Sequence, residues 1–443
     1  MPRTNVILFT AHDLGDFLST YGHPTSTPSF ERFAREGIVC ERHFSQGTVC
    51  SPSRGSIVTG CYPHTNGLMG LVHRGWALDV SRRPALPSLL RAHGYRTHLF
   101  GFQHEHYDAE SLGYQERHAA ANHHADHVVD ELLAWLRGRR RSRTDGPFFI
   151  GVGTAETHRI GMNPSGFKHE LYEPVDRDRV LVPPWMPDIP EIREDLVDFY
   201  GCIAFLDRQF GRLLDALDET GLSDRTIVLF TTDHGASFLH GKASVYDGGV
   251  KVALQMRAPG LLPAGRRVGA LTAHIDVLPT LFDLLELPLP AGIEGQSFAA
   301  QARGEEGGRR FVFGEKNYTN YYDPARWVRT SRFKYIRKGL CTNVFDFVIP
   351  ELELQRADFR RLRSVWDFYS PRRHTEELYD LETDPGERRN LIADASRSAQ
   401  LAELRAALDR HLEATDDPFR FLRNDLPMPR DTYEAVRNRQ PGD

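Results

Sequence analysis

Short, uninterrupted apolar runs that end abruptly in charged residues limit this chain to few folds. Asn5–Thr10, Thr97–Phe100, Pro147–Val152 and Thr226–Thr232 are such runs. They have no polar face, so they belong to strands covered on both sides, as in a parallel sheet. Polar clusters follow them: Ala11-His12-Asp13-Leu14-Gly15-Asp16, Gln103-His104-Glu105-His106, Glu156-Thr157-His158-Arg159 and Asp233-His234-Gly235. Helical patterns lie between the runs. Ser29–Glu36 has Thr27 as its cap, Pro28 at the first helical position and Gly37 as a left-handed stop. Leu86–His93 closes at Gly94, Asp126–Arg137 is amphipathic, and a helix from about Asp195 to Thr220 follows a proline-rich loop, Val182–Pro190. Ile38–Phe44 reads as a further strand. This alternation predicts an α/β fold, a large, mostly parallel mixed sheet sandwiched by helices, with ligands beyond the carboxyl ends of its strands.

The 443 residues exceed one ordinary core. Past a Gly/Glu/Arg-rich break at Gly304–Arg310, strands become shorter and alternating (Arg309–Gly314, Trp327–Thr330, Lys334–Arg337), and a helix covers Ala399–Ala414. The expected division is a catalytic α/β domain over 1–308 and a smaller C-terminal α+β subdomain over 309–443, with an antiparallel sheet. A formal charge of −5 gives no reason to expect a nucleic-acid partner, and the basic run Arg137–Arg143 reads as a solvated linker. No apolar stretch approaches the ~20 residues of a membrane span. The opening Met1–Asn5 runs directly into a strand without a leader's apolar region, so the expected location is cytoplasmic. Cys40, Cys50, Cys61, Cys202 and Cys341 are odd in number and contain no CxxC pair, which argues against a disulfide framework or a cysteine-rich zinc site.

One loop-to-helix stretch stands out, Gly47-Thr48-Val49-Cys50-Ser51-Pro52-Ser53-Arg54-Gly55-Ser56-Ile57-Val58-Thr59-Gly60. A helix beginning here offers free N–H groups to an anion, with Cys50 and Arg54 one turn apart. A lone cysteine is more often a core residue. Yet His12, Asp13, Cys50, Arg54, His104, His158, Asp233, His234 and Lys242 all fall where strands end or loops return, which is where chemistry is assembled. Asp13 and Asp233 with His12 and His234 form a donor set for one divalent metal. Oxygen ligands favour Ca²⁺, Mg²⁺ or Mn²⁺, and the imidazoles move the preference toward Mn²⁺ or Zn²⁺. Arg54 and Lys242 suit a tetrahedral oxyanion, and His104 and His158 are proton carriers near neutral pH.

These residues carry a resemblance. Cys50-Ser51-Pro52-Ser53-Arg54 with Thr59-Gly60 resembles the signature of the type I, formylglycine-dependent sulfatases of the alkaline phosphatase superfamily. Asp233-His234-Gly235, Tyr246-Asp247-Gly248-Gly249, Asp276-Val277-Leu278-Pro279-Thr280-Leu281 and Leu378-Tyr379-Asp380-Leu381 through Asp384-Pro385-Gly386-Glu387 resemble family landmarks in the right order. Pro63-His64-Thr65-Asn66-Gly67 and Thr157-His158-Arg159 look most similar to the N-sulfoglucosamine sulfohydrolase (sulfamidase) branch. The resemblance implies an alkaline phosphatase-like fold and release of sulfate from a sulfated sugar or small organic sulfate, as ester or sulfamate. It implies that a formylglycine-generating enzyme oxidises Cys50 to Cα-formylglycine, whose hydrate attacks sulfur and later collapses to expel sulfate. By position, Asp13, Asp233 and His234 match metal ligands, and Arg54 supports the nucleophile. His104 matches the group serving its hydrated form, and His158 and Lys242 match sulfate and leaving-group contacts.

Two positions depart from that pattern. His12 stands where an aspartate is usual, which makes it either a ligand or a hydrogen-bond donor behind one. Phe102 stands where a lysine is common, so Arg159 or His106 is expected to help bind the substrate. Two other readings remain. A phosphonate monoester or phosphodiester hydrolase would use the same site, and a catalytically silent carbohydrate-binding protein would follow if Phe102 and His12 reflect decay. The His-rich loop (His104, His106, His118, His123, His124, His127) and the segment Glu315–Tyr322 are candidate pocket walls.

Overall fold

The computed structural model describes residues 4–139, 146–160, 166–167, 171–319, 322–339 and 374–421. Cys341, residues 140–143 of the basic run and Asn320–Tyr321 of the candidate wall lie outside them. The sheet strands are β1 (Asn5–Ala11), β2 (Ile38–Phe44), β3 (Arg96–Gly101), β4 (Glu116–His118), β5 (Phe148–Gly153), β6 (Thr226–Thr232), β7 (Lys251–Val252), β8 (Leu254–Arg257) and β9 (Arg266–Ala273). Among the described residues they form one nine-stranded sheet in the order β4-β3-β5-β1-β6-β8-β2-β7, with β9 beside β2. β1 lies between β5 and β6, parallel to both, and β3 is parallel to β5 and β4. β8 runs against both β6 and β2, which turns β2 back to the direction of β1. Hence β1, β2, β3, β5 and β6 all deliver their carboxyl ends to one edge.

The two-residue period explains why the central strands are apolar throughout. Ile7, Phe9, Ile150, Val152, Val228 and Phe230 pack on one face with Phe30, Phe33 and the long helix Pro190–Thr220. Val6, Leu8, Phe149, Ile227 and Leu229 pack on the other with Ile57, Leu90 and Leu281 from three helices. Each such side chain contributes about 1.5–3 kcal/mol on full burial, so polar substitutions in either register are costly.

Three helix-boundary expectations need correction. Thr27 caps nothing with its side chain, because its hydroxyl accepts from Ser19 N at 3.0 Å. Asp207, far along the chain on the long helix, accepts instead from Ser29 N (3.2 Å) and Phe30 N (3.0 Å). Gly37 is not left-handed, with φ −143°. It is required because a Cβ there would sit 2.2 Å from Met256 O on β8. Finally, Pro190 is the first residue of the long helix rather than the last of a loop, since a first-turn proline lacks only an N–H that would be unpaired anyway.

Strands β10 (Val312–Tyr318), β11 (Tyr322–Arg329), β12 (Phe333–Lys338) and β13 (Glu376–Asp380) form a four-stranded antiparallel sheet, covered by the helix Ser398–Ala414. This second sheet abuts the chain just before Cys50. Glu315 N donates to Gln46 O at 2.9 Å, Gln46 Nε2 donates to Phe313 O at 3.2 Å, and Phe44 and Tyr62 share a core with Trp327 and Ile336. No helix among the described residues is long and apolar enough to cross a membrane.

Candidate active site

Cys50 opens the helix Cys50–Thr59, every residue of which is buried. No side chain caps its N-terminus, where Val49 stands. The approach is tight, since a Cβ on Gly47 would lie 2.7 Å from Ser53 N. Ser53 anchors the first turn by donating to the Asp233 carbonyl, and its Oγ lies 3.1 Å from His274 Nδ1. The thiol therefore points at a fixed place. Cys50 Sγ lies 3.3 Å from His234 Nε2 and 3.8 Å from His12 Nδ1. Burial raises the thiol pKa more than Lys242 lowers it, so as a plain cysteine this residue is a poor nucleophile.

Around the sulfur, β1 and β6 contribute the rest. His12 Nδ1 lies 2.8 Å from Asp13 Oδ1 and 3.1 Å from Asp233 Oδ2. His234 Nε2 lies 3.2 Å from Asp13 Oδ1. Asp13 holds a left-handed φ of 54° and is fixed there by its N–H to Asp233 Oδ1 at 2.9 Å. Thr157 Oγ1 donates to the carbonyls of His12 (3.0 Å) and Asp13 (3.1 Å). Donor atoms of His12, Asp13, Cys50, Asp233 and His234 all lie within 4.8 Å of one another.

The chemistry of this donor set fits a cation. The hydrogen bond of His234 Nδ1 to Gly235 O (2.9 Å) places that ring's proton on Nδ1 and turns a bare Nε2 toward two carboxylates. Burial lowers the pKa of His234, and that of His12 to about 4 despite Asp233 and Asp13 beside them, so both imidazoles are neutral near pH 7. Desolvation opposes ionisation of the two aspartates, but Lys242 and the histidines (for Asp13), and His12, His234 and Arg54 (for Asp233), hold both pKa values below the usual range. At His234 a lone pair thus faces the carboxylates in a dry site, an arrangement that a divalent ion relieves.

Two fixed cations flank the cluster. Arg54 Nε donates to Asp233 Oδ2 at 3.1 Å, and Lys242 Nζ donates to Asp13 Oδ2 at 2.7 Å. Burial works against the lysine's charge, but Asp13, together with Cys50 and Asp233, outweighs it and raises its pKa. His158 stands at the mouth with its side chain 42% exposed, Nε2 3.8 Å from Asp13 Oδ2. Desolvation and then Lys242 lower its pKa. His104 sits one shell out, its Nε2 3.2 Å from His73 Nδ1, and burial brings its pKa to about 2. Its Nδ1 has no hydrogen-bond partner among the described residues.

The structure thus brings His12, Asp13, Cys50, Arg54, Asp233, His234 and Lys242 together, with His158 and His104 beside them. Arg159 and His106 have other company. Arg159 donates to Ser237 O (2.9 Å), pairs with Asp195 (2.9 Å) and stacks over Phe167 and Phe238. His106 Nδ1 closes a local turn with Asp108. In the segment from Glu315 to Tyr322, Glu315 binds His64, Lys316 binds Asp323 at 2.8 Å, and Tyr318 packs on Trp76. Phe102 was expected only as a missing charge. Its ring stacks on His12 (centroids 5.3 Å apart) with the Arg54 guanidinium 5.1 Å away, so it fixes two members of the site. His73 was not anticipated either; only the fold brings it to His104.

A mixed sheet flanked by helices thus gathers a buried cysteine, a two-carboxylate donor cluster that could hold a cation and two fixed cations at one strand edge, an arrangement suited to hydrolysis of an anionic ester. Comparison with known proteins makes the class specific. The Sulfatase family profile matches residues 4–287, and the profile of the N-sulphoglucosamine sulphohydrolase C-terminal region matches residues 235–349. This chain belongs to the sulfatase family. Human N-sulphoglucosamine sulphohydrolase is 28% identical, over 94% of this chain and 91% of its own length. An ulvan-active sulfatase of Formosa agariphila is 26% identical, over 96% of this chain and 77% of its own. A protein solved in complex with its substrate D-glucosamine-2-N,6-O-disulfate superposes with a TM-score of 0.71 at 19% identity, covering 94% of this chain and 99% of that one. The phosphonate monoester hydrolase of Agrobacterium radiobacter has the same fold (TM-score 0.67, 23% identity, 91% and 96% coverage).

Proposed function

We propose that this sulfatase releases inorganic sulfate from a sulfated sugar, with N-sulfated glucosamine the first candidate, using a nucleophile made from Cys50. The observation that carries the reading is the convergence of Cys50 Sγ with His234 Nε2 (3.3 Å) in a cluster of neutral imidazoles and ionised carboxylates. The substrate assignment is supported by the C-terminal profile and by the human sulphohydrolase and ulvan-active relatives. A divalent ion held by Asp13, Asp233, His234 and His12 would supply charge to the sulfuryl oxygens and favour ionisation of the attacking hydroxyl. Oxidation of Cys50 to formylglycine by a separate formylglycine-generating enzyme would replace an inert thiol by an aldehyde hydrate. Once one hydroxyl is sulfated, loss of the proton from the other lets the aldehyde C=O re-form as the C–O bond to sulfate breaks, so that sulfate is expelled.

The chain's own residues do the rest. Arg54 holds Asp233 in place through Nε, and its Nη2 donates to Ala11 O at 3.3 Å, so its charge is fixed before substrate arrives. Lys242 sets a second fixed charge against the sulfuryl group, and preorganised charges of this kind need no rearrangement during reaction. His158, with its side chain part-exposed and Nε2 3.8 Å from Asp13 Oδ2, serves as a contact for the sulfuryl or leaving group. His104, neutral and with an open Nδ1, serves the hydrated form of the nucleophile as a hydrogen-bond acceptor.

Sulfate release from defined sulfated sugars, including N-sulfated glucosamine, is the direct test, with an aryl phosphonate monoester as the comparison arm. Faster turnover of the phosphonate than of every sulfate would overturn the substrate reading. Cys50→Ala is expected to abolish turnover with folding and metal content retained; activity within about tenfold of wild type would remove the residue from its role. Chelation is expected to abolish activity, with Mn²⁺ or Mg²⁺ restoring it at least as well as Ca²⁺. Recovery by Ca²⁺ alone would mean that His12 is not a ligand.

A further inference from the structure

At the far edge of the large sheet lies a second cluster, away from the cation site described above. Glu116 and His118 are two residues apart on β4 and so share a face, and His98 of β3 lies alongside in register with Glu116. His98 Nδ1 is 3.2 Å from His118 Nε2 and 3.5 Å from Glu116 Oε2, and His118 Nε2 is 3.8 Å from that same oxygen. Ligands about 2.0–2.1 Å from a tetrahedral ion lie roughly 3.3 Å apart, so the three donors already span one face of such a tetrahedron. We propose that His98, Glu116 and His118 bind a second divalent ion of the Zn²⁺ type, with its fourth position open to water.

Ring placement supports this. His118 lies flat on Phe100 (centroids 4.0 Å, 1° between planes), and His98 packs on Trp135 at 4.7 Å, so neither imidazole must be reoriented on binding. Glu116 is exposed, giving the ion an entry path and a water-accessible side. Burial lowers the pKa of His118 and keeps its lone pair available at neutral pH. Two imidazoles and one carboxylate favour Zn²⁺, Co²⁺, Ni²⁺ or Cu²⁺ over Ca²⁺ or Mg²⁺, which separates this site in chemistry from an oxygen-rich one.

The consequence is structural. Residues 102–115 leave β3 and return as β4, and this loop carries Phe102 and His104. An ion joining His98 to Glu116 and His118 would staple the loop's two ends and complete a three-residue edge strand that is otherwise short. The proposal is independent of which substrate the enzyme uses.

Tag-free full-length protein preloaded with Mg²⁺ can be dialysed against Zn²⁺ and its bound metal counted, with Cu²⁺ quenching of Trp135 fluorescence as a second readout. Wild type is expected to hold one more Zn²⁺ than Glu116→Gln or His118→Ala, and both variants to bind that ion at least ~10–100-fold more weakly. The quench should vanish in Trp135→Phe. Because Glu116 is exposed, its substitution leaves the core intact and keeps the test open if His118→Ala misfolds. Wild-type stoichiometry and affinity in a folded sample of either variant overturns the proposal.

Discussion

Lys242 sits in a turn whose neighbours His240 and Ala243 both hold left-handed conformations, φ 66° and 65°. Such positions are unfavourable for residues with a Cβ and persist where surrounding contacts fix them. Here Lys242 N donates to Ala236 O and Ala243 N to Thr48 O, which ties the turn to the residues just before Cys50. The ammonium is therefore held at Asp13 rather than left to find it. Lys242→Met is expected to lower kcat for sulfate release about 10²–10³-fold, with metal content unchanged by elemental analysis. At this scale the sequence was informative where spacing along the chain carries the meaning, as between Cys50 and Arg54. Asp207 capping a helix from 177 residues away and Phe102 stacking on two site residues were not legible. Those roles depend on contacts between segments that the sequence does not align.

Among the elements, the central strands were read nearly to their ends, because a run buried on both faces has no competing interpretation. Boundaries decided by tertiary contacts, such as Gly37 beneath β8, were not. The junction between β12 and the turn after β13 offers an electrostatic test. Lys334 Nζ lies 2.9 Å from Asp247 Oδ1 and 3.0 Å from Glu387 Oε1, with Lys334 and Glu387 buried and Asp247 partly so. Burial, with Asp247 adding to it against Lys334, raises Glu387 from 4.5 to about 7. A carboxyl whose folded pKa is raised binds its proton more tightly in the native state. Its contribution to stability is full below about 4.5 and is lost as pH rises through about 7. Glu387→Gln is expected to flatten this part of the Tm-against-pH curve, whereas an unchanged slope between those values would contradict the assignment.

Across the whole molecule, the two sheets are joined by buried charge as well as apolar contact. Arg326 Nε and Nη2 donate to Asp417 at 2.6 and 2.8 Å, and both residues are almost inaccessible. His64, on the short helix after the Cys50 helix, pairs with Glu315 and lies 3.5 Å from Asp417. Removing one member strands the others, so Asp417→Ala is expected to cost about 3–5 kcal/mol in urea unfolding, with Asp417→Asn milder. The large sheet and the C-terminal antiparallel sheet therefore belong to units that depend on each other.

The helix that begins at Cys50 is buried along its full length, and this sets a schedule. If Cys50 is oxidised by a separate enzyme, as proposed, that enzyme has no access to it once the sheet has closed. Maturation then becomes a race, in which each chain either meets its oxidant while still open or folds with the thiol sealed in. The specific activity of a preparation would report the ratio of two rates, oxidation and folding, and conditions that slow folding would raise it without altering a single contact in the finished protein.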